Sequence, residues 1–355
     1  GTAVELMGGT DAAFAFARAA LRAGKNLVTA NKNLIAARGP ELFALAREKG
    51  VAIGFEAAVC AGMPVIRAFR ESLRADRIAA VEGILNGTTN YILTRMDEEG
   101  LGYAEALPEA QALGLAEPDP SYDVSGRDSA CKLAILATLA LGARVDPRGL
   151  PVEGIERLDA EDMAEARRMG YRVKLVGFAR SSREGGLEEA GVGPAMLPEG
   201  HPLASVRLEN NAVLADCEGL GPNLFMGKGA GPRPTATALL TDILDIAQGR
   251  ARAPRPDDPF LAAEARLAAE GSPSSRRYVR LSVPDRPGVL ASVSGLFAAQ
   301  GISIESALQP ETRKDGMASL VITTHAASEA AFAALFAALE AGGWGRPVSM
   351  RIAEV

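Results

Sequence analysis

Histidine is nearly absent from this 355-residue sequence, which contains only His201 and His325. That scarcity disfavours a histidine-based catalytic relay and a zinc site built from several histidines. Cysteine is also scarce, and Cys60, Cys131 and Cys217 are odd in number and far apart. They match neither a disulfide framework nor a zinc spacing, so a reducing cytoplasm is the expected location. Proton chemistry in this chain would therefore depend on lysines and carboxylates.

Long apolar runs and an excess of positive charge are missing as well. No run approaches the ~20 apolar residues that a membrane-spanning helix needs, and the N-terminus shows no signal-peptide pattern. The net charge of −6 disfavours nucleic acid or an anionic membrane as the main partner. With 48% hydrophobic residues, the chain is long enough to fill the cores of two or three domains.

The first sixty residues alternate between short apolar stretches and helical patterns. Strands are predicted at 4–7, 27–30 and 51–56, and helices from Asp11 to Gly24 and from Pro40 to Lys49. This alternation predicts a parallel sheet covered by helices, as in the second half of a dinucleotide-binding domain.

The glycine-rich turn that opens such a domain is not found before this region. No Gly-x-Gly-x-x-Gly string precedes Val4, and the chain begins with Gly1 in mid-pattern. We therefore expect the sequence to lack an N-terminal segment, which also leaves the choice between NAD and NADP open. The comparable glycine cluster at 227–231 is followed by a proline-rich stretch that does not suit a pyrophosphate-binding turn.

Residues 117–132 carry the clearest sign of chemistry. Ser125 is a candidate helix N-cap, Asp128 completes a Ser-x-x-Asp capping pattern, and Lys132 lies one turn further on the same face. The apolar run 133–141 is expected to be buried and to hold that face in place. A lysine surrounded by acids can hold or deliver a proton beside a polar substrate. The carboxylates predicted to converge on it are those of Glu117, Asp119, Asp123 and Asp128.

Two other interpretations of this segment remain open from the residues alone. Acids in a first helical turn favour the helix dipole, and Asp128 with Lys132 would also suit an ordinary exposed ion pair. A site for a hard cation is a third interpretation because such cations take carboxylate oxygens, although a central lysine would repel the ion.

The segment resembles the signature of the homoserine dehydrogenase family, Ala-Glu-x-Asp-Pro followed by Asp-Val-x-Gly-x-Asp-Ala-x-x-Lys. The matching residues are Ala116, Glu117, Asp119, Pro120, Asp123, Val124, Gly126, Asp128 and Lys132, with Ser129 in place of the usual alanine. The resemblance implies that Lys132 is the proton donor and acceptor. It also implies that Glu117 and Asp128 hold the amino acid substrate and that Asp123 lies beside them.

The same resemblance implies a cofactor site. Thr29-Ala30-Asn31-Lys32 follows a predicted strand, and the family carries a lysine in this context next to the nicotinamide and the substrate. Ala30, Lys32, Gly8 and Gly231 are the implied cofactor contacts, and NADP or NAD is the implied cofactor. On the residues alone, Lys32 would equally suit a turn on the protein surface.

Residues 56–64 form a loop of small residues after the third predicted strand. Family members hold a monovalent cation with backbone carbonyls of this loop, so the resemblance implies a sodium ion here. The implied positions are Glu56, Val59, Ala61 and Met63. Cys60 departs from the usual glycine or alanine, and a simple turn without a cation is the other interpretation.

From residue 77 the pattern changes to longer strands, predicted at 78–85, 171–178, 189–196, 211–217 and 224–227. Their alternation indicates a mainly antiparallel sheet. The string Asn86-Gly87-Thr88-Thr89-Asn90-Tyr91 matches a further segment of the family. The resemblance implies that this part is the α+β substrate and dimerisation domain.

The C-terminal residues follow the order βαββαβ and resemble an ACT domain, a small amino-acid sensor. The string Asp-Arg-Pro-Gly-Val-Leu begins at Asp285 and leads into a helix whose N-terminus at Gly288 and Val289 offers backbone N–H groups to a carboxylate. Asp285, Gly288 and Val289 are the implied effector contacts, and threonine is the expected effector. A ferredoxin-like accessory domain without a ligand is the other interpretation.

The predicted fold is α/β: a partial Rossmann-type parallel sheet, an α+β substrate and dimerisation domain, and a C-terminal βαββαβ ACT domain. The expected boundaries are 1–63 with 232–250 for the nucleotide part, 64–231 for the substrate part, 251–277 for a linker and 278–355 for the ACT part. The resemblance implies NAD(P)-dependent interconversion of L-aspartate 4-semialdehyde and L-homoserine by a homo-oligomer, a dimer or tetramer. This reaction belongs to threonine and methionine biosynthesis and would be regulated by feedback.

Two rival functions remain. Phosphoglycerate dehydrogenase also carries an ACT domain, but its histidine-based catalysis is not supplied by His201 and His325. An amino-acid-binding regulatory protein without catalysis is the alternative from another class, because the dinucleotide fingerprint is not seen.

Overall fold

The computed structural model describes residues 1–182, 186–265, 274–309 and 316–353. Its strands, in chain order, are β1 (Thr2–Glu5), β2 (Asn26–Thr29), β3 (Ile53–Gly54), β4 (Ile78–Ile84), β5 (Tyr171–Ser181), β6 (Leu187–Pro198), β7 (Asn210–Cys217), β8 (Gly221–Lys228), β9 (Ser274–Pro284), β10 (Ile304–Leu308), β11 (Met317–Thr324), β12 (Ala327–Ser328) and β13 (Val348–Ile352). Its α-helices are α1 (Asp11–Arg22), α2 (Lys32–Lys49), α3 (Val65–Arg67), α4 (Gly87–Glu99), α5 (Tyr103–Ala112), α6 (Ser121–Val124), α7 (Arg127–Leu141), α8 (Ala160–Arg168), α9 (Pro232–Ala247), α10 (Val289–Ala299) and α11 (Glu329–Ala341).

The N-terminal sheet is parallel and has the strand order β1-β2-β3. Val4 lies opposite Val28, which in turn lies opposite Gly54. Helix α1 turns Ala17 and Leu21 inward, and both are fully buried. The predicted strand–helix alternation is confirmed. Because the strands are parallel, their carboxyl ends meet at one edge, where open α/β sheets bind ligands.

Helix α2 begins at Lys32, whereas the sequence predicted a start at Pro40. The earlier start depends on Asn31, whose side chain accepts a hydrogen bond of 3.0 Å from the Leu34 N–H and so caps the helix. Pro40 lies inside the helix and supplies no N–H to it. Burial of residues such as Leu34 and Phe43 keeps the helix packed on both sides of the proline.

A second, larger sheet runs through the rest of the molecule in the order β8-β7-β4-β5-β6-β13-β9-β11-β10. Its neighbours are antiparallel except for β13 and β6, which are parallel. The predicted mainly antiparallel sheet is therefore confirmed. Helix α7 packs on β4 and β5, and Gly177 of β5 leaves room for Leu133 of α7, whose Cβ lies 3.6 Å from where a Cβ at residue 177 would be.

The C-terminal unit contains β9, α10, β10, β11, α11 and β13, so the predicted βαββαβ order is confirmed. Its four main strands have the order β10-β11-β9-β13. Val279 and Leu281 of β9 pack with Phe297 of α10 and with Phe332 and Leu335 of α11 in one buried apolar cluster. The alternating inward residues of β9 and the apolar faces of the two helices explain why this unit forms its own core.

Two kinds of contact join the C-terminal unit to the sheet of the substrate region. Strand β13 pairs with β6, with Arg351 opposite Ala195. The fully buried carboxylate of Asp162 in α8 accepts hydrogen bonds from Tyr278 Oη at 2.9 Å and from Arg280 Nε at 2.6 Å. Strand β9 is thus tied to α8 by a buried polar cluster.

The predicted linker, 251–277, is described only in part, because residues 266–273 lie outside the described residues. Within the described ranges, no helix is long and apolar enough to cross a bilayer.

Candidate active site

Lys132 lies in the second turn of α7 and is buried, with 9% of its surface exposed. Its ammonium nitrogen Nζ donates to Asp128 Oδ2 at 2.8 Å and to the carbonyl oxygen of Leu85 at 2.7 Å. Leu85 directly follows β4, so the lysine reaches from the helix to the end of a neighbouring strand. The exposed-pair interpretation of Asp128 and Lys132 is therefore wrong, since both groups are enclosed.

The start of α7 differs from the predicted capping pattern. Residues Ser121–Val124 form the separate short helix α6, and Gly126, with φ +83°, makes the left-handed turn into α7. Ser125 lies outside α7, and its buried Oγ has no hydrogen-bond partner among the described residues. The glycine is needed because a side chain at this φ is strained, and a Cβ there would meet Val152 at 3.0 Å.

Asp128 is the centre of the polar cluster. Its Oδ1 pairs with Lys32 Nζ at 2.9 Å, and its Oδ2 accepts from both Lys132 Nζ and Asn86 Nδ2 at 2.8 Å. Burial opposes ionisation of this carboxyl, but the charges of Lys132 and Lys32 outweigh it and hold the pKa of Asp128 at about 2. Asp128 is thus a permanent anion between two cations.

The pKa of Lys132 reflects the same balance. Burial favours the neutral amine, but the adjacent Asp128 carboxylate outweighs burial and raises the pKa of Lys132 above its ordinary value. The resting lysine is therefore protonated and aligned by two acceptors, as a general acid should be.

Lys32 is the residue that joins the N-terminal sheet to this cluster. It is the first residue of α2, directly after the Asn31 cap at the carboxyl end of β2. Its ammonium lies 5.5 Å from the centre of the Tyr122 ring, and Tyr122 in turn donates to Asn33 Oδ1. The sequence placed Lys32 beside the cofactor but gave no sign that it would reach Asp128.

Asp123 of α6 is the second acid of the cluster. Its Oδ1 accepts from Asn86 Nδ2 at 2.8 Å. Burial, together with the charge of Asp128, raises the pKa of Asp123 above its ordinary value. Asn86 is thus a site residue that the sequence did not identify. The available signal was its place at the end of a strand, at the head of the Asn-Gly-Thr-Thr string.

The predicted convergence of four carboxylates holds for Asp123 and Asp128 and fails for Glu117 and Asp119. Both of the latter lie exposed on the loop before α6. Asp119 Oδ1 accepts from the Ser121 N–H at 3.1 Å, while among the described residues no hydrogen bond or ion pair reaches the carboxylate of Glu117. The Lys132 ammonium pairs with Asp128 and the Leu85 carbonyl and with neither of these two acids.

A cleft of about 550 Å³ adjoins the cluster at the carboxyl ends of β1 and β2. The residues predicted to contact the cofactor all line it: Gly8, Ala30, Lys32 and Gly231. Its other walls come from residues after β1, from the asparagines at the start of α2 and from the first two turns of α9. Small residues on several sides leave space for a flat ring, and Lys32 joins the cleft to the Asp128–Lys132 pair. The cleft therefore fits the nicotinamide end of a dinucleotide.

A buried carboxylate braces the floor of the cleft. Glu5, only 1% exposed, accepts from Thr29 Oγ1 at 2.6 Å and from the Met7 N–H at 2.7 Å. Thr29 Oγ1 also accepts from the Asn31 N–H at 3.0 Å. The bond between Thr29 and Glu5 ties the ends of β1 and β2 together. Glu5 is not among the predicted site residues, although a lone acid at the end of an apolar strand is a recognisable signal.

The loop 56–63 is buried apart from Gly62. The Glu56 carboxylate accepts from the N–H groups of Ile66 and Arg67, and burial raises the pKa of Glu56 to about 7. Met63 O accepts from the Val65 N–H, whereas among the described residues no N–H donates to the carbonyls of Val59 and Ala61.

Cys60, the residue that departs from the family pattern, has φ +48°, in the left-handed region that favours glycine. Its thiol accepts from Asn211 Nδ2 at 3.4 Å, and burial raises the pKa of that thiol. The turn forms despite the side chain because the packed surroundings enclose it.

The turn predicted to bind an effector leads into α10. Gly288 has φ +92° and is the N-cap residue of that helix, without a side-chain cap. Asp285 Oδ1 accepts from Gln309 Nε2 at 3.0 Å, and Val289 is buried. Among the described residues, no atom lies within 4 Å of where a Cβ at Gly288 would be, so they leave the helix N-terminus open at this point.

Models of known families match three regions of the chain. The model described as the homoserine dehydrogenase NAD-binding domain matches residues 3–56, and the homoserine dehydrogenase model matches residues 64–244. The chain belongs to the homoserine dehydrogenase family. A third model, the ACT domain, matches residues 277–341. The chain is thus an oxidoreductase with a nicotinamide dinucleotide-binding domain and an amino-acid-sensing domain.

Named relatives agree across nearly the whole chain. Homoserine dehydrogenase of Pseudomonas aeruginosa is 40% identical over 99% of this chain and 83% of the relative. Homoserine dehydrogenase of Bacillus subtilis is 40% identical over 93% of this chain and 76% of the relative.

Solved structures show the same architecture. A homoserine dehydrogenase from Thiobacillus denitrificans superposes with a TM-score of 0.88 at 38% identity, covering 99% of this chain and 81% of that chain. A hyperthermophilic archaeal homoserine dehydrogenase in complex with NADPH has a TM-score of 0.59 at 30% identity, covering 70% and 73% of the two chains. The predicted family, fold class and activity are confirmed, and a purely regulatory protein is not favoured.

Proposed function

We propose that Lys132 is the general acid and base of this homoserine dehydrogenase, acting at the substrate oxygen during interconversion of L-aspartate 4-semialdehyde and L-homoserine. The observation that carries the proposal is the buried pair of Lys132 and Asp128 at the edge of a cleft that shares Lys32 with it. A proton donor and a cofactor-sized space are thereby adjacent.

The chemistry divides between the cofactor and the chain. When bound in the cleft, the nicotinamide supplies or accepts the hydride. Lys132 donates a proton to the developing alkoxide of the semialdehyde. Asp128 and the Leu85 carbonyl hold the Lys132 ammonium in place. In the oxidation direction the same nitrogen must first lose its proton. Its raised pKa therefore favours homoserine oxidation at alkaline pH.

Three acids are proposed to hold the substrate. Asp123 and Asp128 lie inside the cluster and offer carboxylate oxygens to an ammonium group. Glu117 lies on the rim of the same region, and we propose that it pairs with the substrate ammonium once the substrate is bound. Charge-assisted hydrogen bonds of this kind bind and orient the amino acid.

Lys132→Met tests the proposal because it removes the proton and keeps the length of the side chain. We expect kcat for semialdehyde reduction to fall roughly 10²–10⁴-fold with little change in KM. Lys174→Met is the matched control, since Lys174 is also buried and also donates to a backbone carbonyl, that of Val206, outside the cluster. Wild-type kcat in Lys132→Met would remove Lys132 from the mechanism.

Gly8, Ala30, Lys32 and Gly231 are proposed to contact the cofactor, which is NADP or NAD. The supporting observation is that all four line one cleft. Comparing kcat/KM for NADPH and NADH in the reduction direction would decide between the two cofactors. Replacing Ala30 by Leu should raise KM for either cofactor, because the added side chain occupies the cleft.

A monovalent cation, sodium, is proposed to bind carbonyl oxygens of Glu56, Val59, Ala61 and Met63. The unpaired carbonyls of Val59 and Ala61 among the described residues support the idea. The described residues contain no group of three or more acidic, cysteine or histidine side chains that would hold a metal ion. Activity measured in sodium, in potassium and in a bulky organic cation tests this site.

Threonine is proposed as the effector, bound by Asp285, Gly288 and Val289 where the ACT units of two subunits meet. The open helix N-terminus at Gly288 supports a carboxylate ligand. We further propose a homo-oligomer, the domain boundaries given above, and a cytoplasmic location, which suits three free cysteines.

A further inference from the structure

We infer that Asn86 is a positioning residue, whose single amide nitrogen holds the carboxylates of Asp123 and Asp128 together beside Lys132. The inference rests on the proposed role of the cluster in catalysis and adds to it a residue that acts through the two acids. Asn86 itself is expected to contact neither the transferred hydride nor the proton that Lys132 donates.

One amide nitrogen lies between two carboxylate oxygens. Asn86 Nδ2 lies 2.8 Å from Asp123 Oδ1 and 2.8 Å from Asp128 Oδ2. The two acids come from different helices, α6 and α7, separated by the left-handed turn at Gly126. An amide group carries two N–H donors, so it can satisfy both carboxylates at once.

The orientation of the amide is fixed by its other end. Asn86 Oδ1 accepts from the Thr89 N–H at 2.8 Å and thereby caps α4. Because only the oxygen can accept from an N–H, the nitrogen must face the acids. The adjacent residue, Leu85, offers its carbonyl to Lys132. Two consecutive residues after β4 therefore set the acids and the lysine relative to each other.

The charges explain why a donor is needed at this point. The Asp123 carboxyl faces Asp128 and Lys132 from α7 and Lys32 from α2. Burial and the Asp128 charge raise the pKa of Asp123, while the hydrogen bond from Asn86 lowers it. Two neighbouring carboxylates repel each other, and one takes up a proton when nothing compensates. The Asn86 amide supplies part of that compensation without introducing a charge that would compete with Lys132.

Asn86→Ser separates this role from helix capping, because serine keeps the N-cap acceptor and loses the amide donor. We expect the acid limb of the kcat/KM profile to move to higher pH by about one unit, which corresponds to a roughly tenfold loss at the pH of the limb. Near-normal values should return at higher pH. Asn86→Asp also keeps the cap and adds a third carboxylate, so the acid limb of its kcat/KM profile should move to still higher pH.

A purely structural role gives a different result. It would lower Tm and kcat in both variants while leaving the acid limb where it is in the wild type, and that outcome would overturn the inference. A second measurement does not depend on activity. Carbon-13 NMR of Asp-labelled protein, with the Asp123 signal identified by its loss in Asp123→Asn, follows the carboxyl directly.

The NMR titration should give a higher pKa for Asp123 in Asn86→Ser than in the wild type, and an unchanged pKa would contradict the inference. Failure of the proposed function is recognised separately. In that case Lys132→Met would keep wild-type kcat, whatever the behaviour of the Asn86 variants.

Discussion

Lys32 and Asp128 form an ion pair of 2.9 Å between Nζ and Oδ1 that joins the nucleotide-binding sheet to the helix carrying Lys132. Asp128 is almost fully enclosed, while the Lys32 side chain keeps 28% of its surface exposed toward the cleft. The pair therefore fixes the distance between the cofactor cleft and the proton donor. It also gives Asp128 the second cation that keeps it ionised.

Replacing Lys32 by Met should reduce kcat/KM about 10–100-fold, because misplacement of the reacting groups by about 1 Å is enough for losses of this size. Lys32→Arg is the control, since it keeps the charge and the reach toward Asp128. Steady-state kinetics in the reduction direction provide the measurement. Equal losses in both variants would show that the pair is not what aligns the two regions.

Asp128→Asn should move the Lys132-dependent limb of the pH profile to lower pH in both reaction directions. In the wild type, Asp128 holds the pKa of Lys132 up against burial, so its neutralisation lets that pKa fall. Reduction needs the protonated lysine and should fail at a lower pH than in the wild type. Oxidation needs the neutral amine and should begin at a lower pH. Profiles of kcat/KM against pH in both directions test this. The prediction is contradicted if the alkaline limb for reduction and the acid limb for oxidation both stay where they are in the wild type.

Glu117→Gln should raise KM for the semialdehyde more than it lowers kcat, because an ammonium anchor contributes mainly uniform binding. Asp119→Asn is the matched control on the same exposed loop, since its carboxylate caps the Ser121 N–H instead. A collapse of kcat with unchanged KM would assign Glu117 to the chemical step. Equal effects in the two variants would point to the loop and not to the carboxylate.

The sequence predicted the elements and failed mainly at their junctions. Strand alternation and helix patterns located the parallel sheet, the antiparallel sheet and the βαββαβ unit. The predicted start of α2 at Pro40 is wrong because Asn31 caps the helix earlier, and burial on both sides of the proline tolerates it inside the helix. The Ser125 cap was wrong because a glycine at φ +83° can begin a helix without any side-chain cap.

The contacts of the site that follow from the local spacing of residues could be predicted from the sequence. Asp128 and Lys132 are one helical turn apart, so their contact follows from the sequence alone. The contact of Lys32 with Asp128 depends on how α2 packs against α7, and that of Asn86 on how α7 packs against β4, so no spacing in the chain reveals them. Glu117 looked equivalent to Asp123 in the sequence, but only Asp123 lies in a helix that turns inward.

The buried contact between the ACT unit and α8 should contribute strongly to stability. Asp162 is fully enclosed and pairs with Arg280, whose side chain is 11% exposed. Asp162→Ala leaves that guanidinium without its partner, a change that destabilises by about 3–5 kcal/mol. Glu305→Gln is the control, because it removes the exposed partner of Arg276 and should change stability by less than about 1 kcal/mol. Urea unfolding measures both, and similar values for the two variants would contradict the prediction.

Gly288→Asp should abolish inhibition by threonine while leaving kcat unchanged. The N-terminus of α10 is open at Gly288, and an aspartate there would place a negative charge where the effector carboxylate is proposed to bind. Because φ is +92° at this position, the substitution also strains the turn, so Tm must be measured with activity.

Gly295→Asp is the matched control, since it adds the same charge on an exposed position of the same helix, away from its N-terminus. Retained inhibition in Gly295→Asp and lost inhibition in Gly288→Asp would place the effector at the turn. If millimolar threonine neither inhibits the wild type nor raises its Tm, threonine is not the ligand of this domain.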